Sequence, residues 1–105
     1  MADRIELLAS LSKLLRTGNN HYANLIDETT ASGIDQIEKF LVSNELWGGA
    51  GSIADQALLE NKLLRKELEL LLIKLGRLQI AEDKVNVRTE MWVSAFEKWH
   101  KLNSD

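Results

Sequence analysis

Leucine and isoleucine recur along this chain at intervals of three and four. Over 3–16, Ile5, Leu7, Leu8, Leu11, Leu14 and Leu15 fall on one face of an amphipathic helix. Gly18 follows closely, where a left-handed C-terminal cap is commonly needed. Asn19 and Asn20 offer side-chain oxygens to the orphan N–H groups of a second helix. That helix is expected over 21–31, with Tyr22, Leu25, Ile26 and Thr29 as its buried stripe. Either Gly33 closes it or Ser32 caps the next. A third helix, over 34–44, presents Ile34, Ile37, Phe40 and Leu41.

The periodicity stops at 45–52, which reads Glu-Leu-Trp-Gly-Gly-Ala-Gly-Ser and holds three of the six glycines within four positions. Ser52, with Asp55 three residues later, is a variant of the capping box that opens a new helix. This fourth helix, over 53–80, is the longest. Leu64, Leu68, Leu71, Leu75 and Leu78 step by four and three along it, a heptad seam. Leu63, Leu70, Leu72 and Ile73 widen its apolar surface, which suits the central helix of a bundle. Gly76 costs about 1 kcal/mol relative to alanine and marks a place for a kink or an early end. The polar stretch 81–86 serves as a turn. A last helix, over 87–102, stacks Trp92, Ala95, Phe96, Trp99 and Leu102 on one face, and the tail 103–105 is expected to fray. No stretch alternates long enough to be a strand. The expected fold is all-α: a single domain over 1–105, a bundle of four to five helices around a long central one.

Composition narrows the function classes. The 105 residues are 45% hydrophobic and 28% charged, a globular balance. There is no cysteine, which removes disulfides, thiolate metal sites and a cysteine nucleophile. The formal net charge of −3 argues against a dedicated nucleic-acid binder. The longest apolar run, Leu70 to Ile73, is far short of the roughly 20 residues a membrane span needs. Charges at Asp3, Arg4 and Glu6 interrupt the first apolar stretch, so no signal-peptide core is expected. The expected compartment is the cytoplasm, with no cofactor, no nucleic-acid partner and no membrane.

Candidate chemistry is sparse. The loop carrying Trp47, Gly48, Gly49, Gly51, Ser52 and Asp55 has two readings. Converging backbone N–H groups ahead of a helix N-terminus can hold a phosphate or carboxylate. The same residues also serve a tight reversal between helices, with Trp47 as a buried anchor. The loop lacks the spacing and the lysine of a P-loop. Glu97-x-x-His100 has the spacing of a di-iron bundle ligand pair, but a single copy is present and the C-terminal position of His100 suits the helix dipole on its own. His21 stands in the first turn of the second helix. Asp27–Glu28 and Glu82–Asp83 are sequence neighbours that point apart on a helix and read as solvated. Lys62, Arg65, Lys66, Lys74 and Arg77 outnumber Glu60, Glu67 and Glu69 on the fourth helix, an ordinary charged face partly balanced by Arg65–Glu69 at i,i+4.

The segment Gly48-Gly49-Ala50-Gly51-Ser52-Ile53-Ala54-Asp55 resembles a Gly-Gly-Met-Gly-Ser-hydrophobic-Asn-Asp motif of small uncharacterised bacterial proteins. It matches at Gly48, Gly49, Gly51, Ser52 and Asp55 and departs at Ala50 and Ala54. The resemblance covers only this short stretch. It implies a bacterial origin and an interaction role, in the manner of accessory or mobile-element proteins, some of them protective partners of other proteins. It carries over no catalytic residue.

Five helices carry more apolar stripe than one small chain is expected to cover. A homodimer is therefore expected, with Leu64, Leu68, Leu71 and Leu75 of the seam and Trp92, Phe96 and Trp99 of the aromatic face as interface candidates, or a different protein partner on the same surfaces. The function expected is that of a non-enzymatic interaction protein. The alternative is a small-ligand or anion-binding protein using 48–55.

Overall fold

Seven helical segments appear in the computed structural model, which describes residues 4–18, 22–58 and 60–102. They are α1 (Arg4–Thr17), α2 (Tyr22–Ala31), α3 (Ile34–Leu41), α4 (Asn44–Trp47), α5 (Ile53–Leu58), α6 (Lys62–Ala81) and α7 (Thr89–Leu102). No strand occurs among the described residues. The all-α expectation holds, with more helices than the expected four to five.

The additional helices come from two breaks. The expected helix 34–44 stops at Leu41, where the Ser43 N–H and hydroxyl both donate to the Phe40 carbonyl and turn the chain into the single turn α4. The expected helix 53–80 is two helices. Asn61 stands between them in an extended conformation and its side-chain oxygen accepts the Leu64 N–H at 3.0 Å. Asparagine gains more as an N-cap than it would inside a helix, so α6 starts afresh after it.

Glycines do other work than expected in three places. Gly18 follows α1, yet positive φ among the described glycines occurs only at Gly33 and Gly51. Gly18 serves instead by being small: a Cβ there would meet Leu64 Cδ2 at 3.0 Å. Gly33, at φ 104°, is the N-cap residue of α3, which separates the second and third helices. Gly76 does not end α6, which continues through it to Ala81. The end of α6 is a Schellman motif. Lys84 N–H donates to Gln79 O and Asp83 N–H to Ile80 O, with Asp83 at φ 56° in the position glycine usually takes.

The expected stripes are largely the observed ones. Leu7, Leu8, Leu11 and Leu15 of α1, Ile26 of α2, and Ile37, Phe40 and Leu41 of α3 are buried. Tyr22, Leu25 and Thr29 are half-buried, whereas Ile34 is exposed. Leu68, Leu72 and Leu75 of α6 meet Trp92, Val93 and Phe96 of α7 in one core with Trp47. α6 packs against α1, α5 and α7 and is the central helix. The Cα radius of gyration is 12.7 Å, the value a folded chain of this length should have. Asn19, Asn20, His21 and the tail 103–105 lie outside the described residues.

Candidate functional site

The glycine-rich loop satisfies itself. Trp47 closes α4 with no exposed surface, and its indole N–H donates to Gln79 Oε1 at 3.0 Å. The Gly48 carbonyl accepts from the Ser52 hydroxyl and from the Trp92 indole, both at 3.0 Å. The Ser52 hydroxyl oxygen in turn accepts the Asp55 N–H at 3.1 Å, which is the cap the sequence announced. Asp55 reaches back to take the Gly51 N–H at 2.9 Å. The Tyr22 hydroxyl donates to the Gly51 carbonyl and ties the loop to α2. Gly48 has no room for a side chain, since a Cβ would stand 2.3 Å from the Asn44 carbonyl oxygen. Gly49 faces the Arg88 guanidinium. The six residues expected to form a ligand site are thus brought together, and most of their polar groups engage one another. The carboxylate nearest the N-terminus of α5 belongs to the chain itself.

The expected interface residues divide into two groups. Leu68, Leu75, Trp92 and Phe96 are buried in the core of the same chain, so the seam and aromatic face are largely spent within it. Leu64, Leu71 and Trp99 are half-buried. Gly76 explains why α6 and α7 can meet so closely: Val93 Cγ2 lies only 2.3 Å from where its Cβ would be.

The apolar surface left over lies elsewhere. A groove of about 370 Å³ runs between α1 and α6, lined by Ser10, Lys13, Leu14 and Thr17 on one side and Glu67, Leu70 and Leu71 on the other. Leu70 is 47% exposed, and Leu63, seven residues earlier on the same face of α6, is 73% exposed. The sequence contained the signal, because Leu63 and Leu70 stand outside the seam. What it could not supply was the neighbouring helix that makes a groove of them.

No family model matches this chain. No curated protein and no solved structure matches it either.

The polar interior holds a cluster that sequence reasoning treated as surface. Glu69 of α6 is fully buried. Arg65, one turn earlier, donates its Nε–H to Glu69 Oε2 at 2.7 Å while its guanidinium lies 4.0 Å from the centre of the Trp99 ring. His100 Nε2 stands 3.4 Å from Glu69 Oε1. Burial pushes the Glu69 carboxyl above its ordinary value, against the opposing pull of Arg65. Burial, then Lys66 and Arg65, hold the His100 imidazole below its own. Glu97 is not a partner of His100 in a ligand pair, because its carboxylate is ion-paired to Arg77. Among the described residues no group of three or more histidines, cysteines or acids could hold a metal ion. Asp27 is exposed, as expected, and it also accepts from Ser12 and is ion-paired to Arg16, fastening α2 to α1. No helix among the described residues is long and apolar enough to cross a membrane.

Proposed function

We propose that this chain is a non-enzymatic accessory protein of the bacterial cytoplasm that acts by pairing with a second copy of itself through helix faces. One observation carries the reading: the apolar groove between α1 and α6, continued by the exposed Leu63. Exposed apolar side chains are ordinary when scattered singly, but a row beside a leucine-lined groove is the kind of surface that marks an interaction site. Charge favours a second copy as the occupant. Lys13 stands on the α1 wall and Glu67 on the α6 wall. A two-fold axis across the groove sets Lys13 of each copy against Glu67 of the other, the self-complementarity an isologous interface requires. The contact area needed is modest. A standard interface takes about 800 Å² from each partner, against 6134 Å² of accessible surface here.

The loop at 48–55 offers less to a ligand. The Asp55 carboxylate accepts the Gly51 N–H, and the Gly48 carbonyl already has two donors.

Because the chain contains no cysteine, a single introduced thiol reports proximity cleanly. L70C is expected to be joined in pairs by a short bifunctional maleimide at dilute protein concentration. V87C, 95% exposed and outside the groove, is expected to stay single. Equal cross-linking of both, or of neither, contradicts pairing through the groove.

A further inference from the structure

The last turn of α7 lies over α6 on a contact with an unusual proton balance. Glu69 Oε1 and His100 Nε2 face each other at 3.4 Å. Both atoms are buried, and neither has a hydrogen-bond partner among the described residues. A carboxylate accepts and a bare ring nitrogen accepts, so a single proton between them serves both. The surrounding charges are unbalanced toward the positive. From α6, Arg65 and Lys66 act on the imidazole. On α7 itself, Glu97 is committed to Arg77, and Lys101 has an interaction of its own. Glu69 is therefore the anion that answers both Arg65 and His100.

We propose that the Glu69–His100 contact is an acid-sensitive latch, which fastens the last turn of α7 to α6 at neutral pH and releases it in mild acid. At neutral pH the cluster holds one cation, Arg65, one anion, Glu69, and a neutral imidazole beside the carboxylate. The first added proton gives either a neutral carboxyl group or an imidazolium. The second leaves Arg65 and His100 both charged, with Lys66 beside them and no buried anion between. Two partly buried cations at one contact repel, and the contact that gives is the one between the last turn of α7 and α6. Trp99 then loses the Arg65 guanidinium stacked on its ring. Burial raises the carboxyl and lowers the imidazole, so the two titrations are displaced toward one another from their ordinary values. This latch does not depend on pairing through the groove.

The test is amide hydrogen exchange over 97–102, with the Trp99 indole N–H signal followed by NMR, on the full chain at neutral pH and at about pH 5, corrected for intrinsic exchange. Wild-type protection in this turn is expected to fall by about tenfold or more on acidification, as a local opening. H100Q is expected to show little pH dependence there, whereas E69Q, which keeps the titrating imidazole beside Arg65 and Lys66 without the anion, is expected to fall at least as far as the wild type. Glutamine at 69 keeps the shape of the buried side chain, and should that variant fail to fold, H100Q decides alone, since His100 is partly exposed. Unchanged protection in the wild type, or an equal fall in H100Q, overturns the latch.

Discussion

The Trp47 indole N–H donates to Gln79 Oε1 at 3.0 Å in the interior, joining the single turn α4 to the end of α6. Gln79 is fully engaged there. Its amide nitrogen donates to the Leu41 carbonyl at 2.6 Å and the Lys84 carbonyl at 3.1 Å. One buried side chain thus fixes the end of α3, the glycine-rich loop's anchor and the turn after α6. Leucine at 79 leaves the Trp47 N–H and the Leu41 carbonyl without partners in a place water does not reach. Each such orphan costs about 1–3 kcal/mol. Q79L is therefore expected to lose roughly 3 kcal/mol, read from the urea midpoint at unchanged slope.

Gly76 sets two effects against each other. Alanine gains about 1 kcal/mol in helix propensity, but its Cβ would lie 2.3 Å from Val93 Cγ2 and 3.2 Å from the Trp47 ring. Overpacking of that severity costs about 1–3 kcal/mol. The clash should win, and G76A is expected to be less stable than the wild type. Trimming the neighbour should return part of the loss, so G76A and V93A are expected to couple favourably by about 1 kcal/mol in a double-mutant cycle. Strict additivity would count against the close approach.

The loop at 48–55 should behave as a turn. G48A is expected to destabilise more than G51A, because Gly48 is packed against the Asn44 carbonyl whereas Gly51, at φ 87°, has open space around it. The left-handed conformation alone costs alanine about 1–2 kcal/mol. D55A is expected to lose about 1 kcal/mol as a broken capping arrangement. Phosphate should leave the melting temperature of the wild type and of all three variants unchanged. A rise confined to the wild type would revive the anion-binding alternative.

The two displaced pKa values of the α6–α7 cluster predict opposite trends with pH. Glu69 has a raised value in the folded chain, so its favourable contribution is complete below the ordinary carboxylate value and is lost as pH rises through the raised one. E69Q should accordingly gain on the wild type from about pH 4.3 toward neutrality. His100 has a lowered value, so its contribution is present above the ordinary imidazole value and is lost as pH falls. H100Q should gain on the wild type on acidification below about pH 6.5. Urea titrations at several pH values separate the trends. If E69Q instead fell behind with rising pH, the pull of Arg65 on the carboxylate would outweigh its burial.

Much of the fold was legible in the sequence because it is written in local periodicity. The stripe of Leu7, Leu8, Leu11 and Leu15 and the Ser52 cap each depend on a few neighbouring residues and appear as read, although Ile5 of that stripe is exposed and the Asp55 carboxylate takes the Gly51 N–H rather than that of Ser52. The break at Asn61 was masked by the leucines on either side, which continue the helical spacing across it. The role of Gly76 was not legible, because a close approach depends on Val93 of another helix. Glu69 read as a solvated charge for the same reason: α7, which lies over it, begins twenty residues further on. The interface candidates were read from apolar spacing alone. That spacing marks what must be covered without saying by which helix, and Leu68, Leu75, Trp92 and Phe96 are covered from within.

Self-association through the α1–α6 groove is tested most directly by mass in solution. Light scattering on a sizing column over a concentration series should give twice the 11.9 kDa of the chain for the wild type. The L63K/L70K double variant, altered only at exposed positions, should give the mass of one chain with its helical content intact. A wild type that stays single at every concentration, or a double variant that pairs as well as the wild type, contradicts the account.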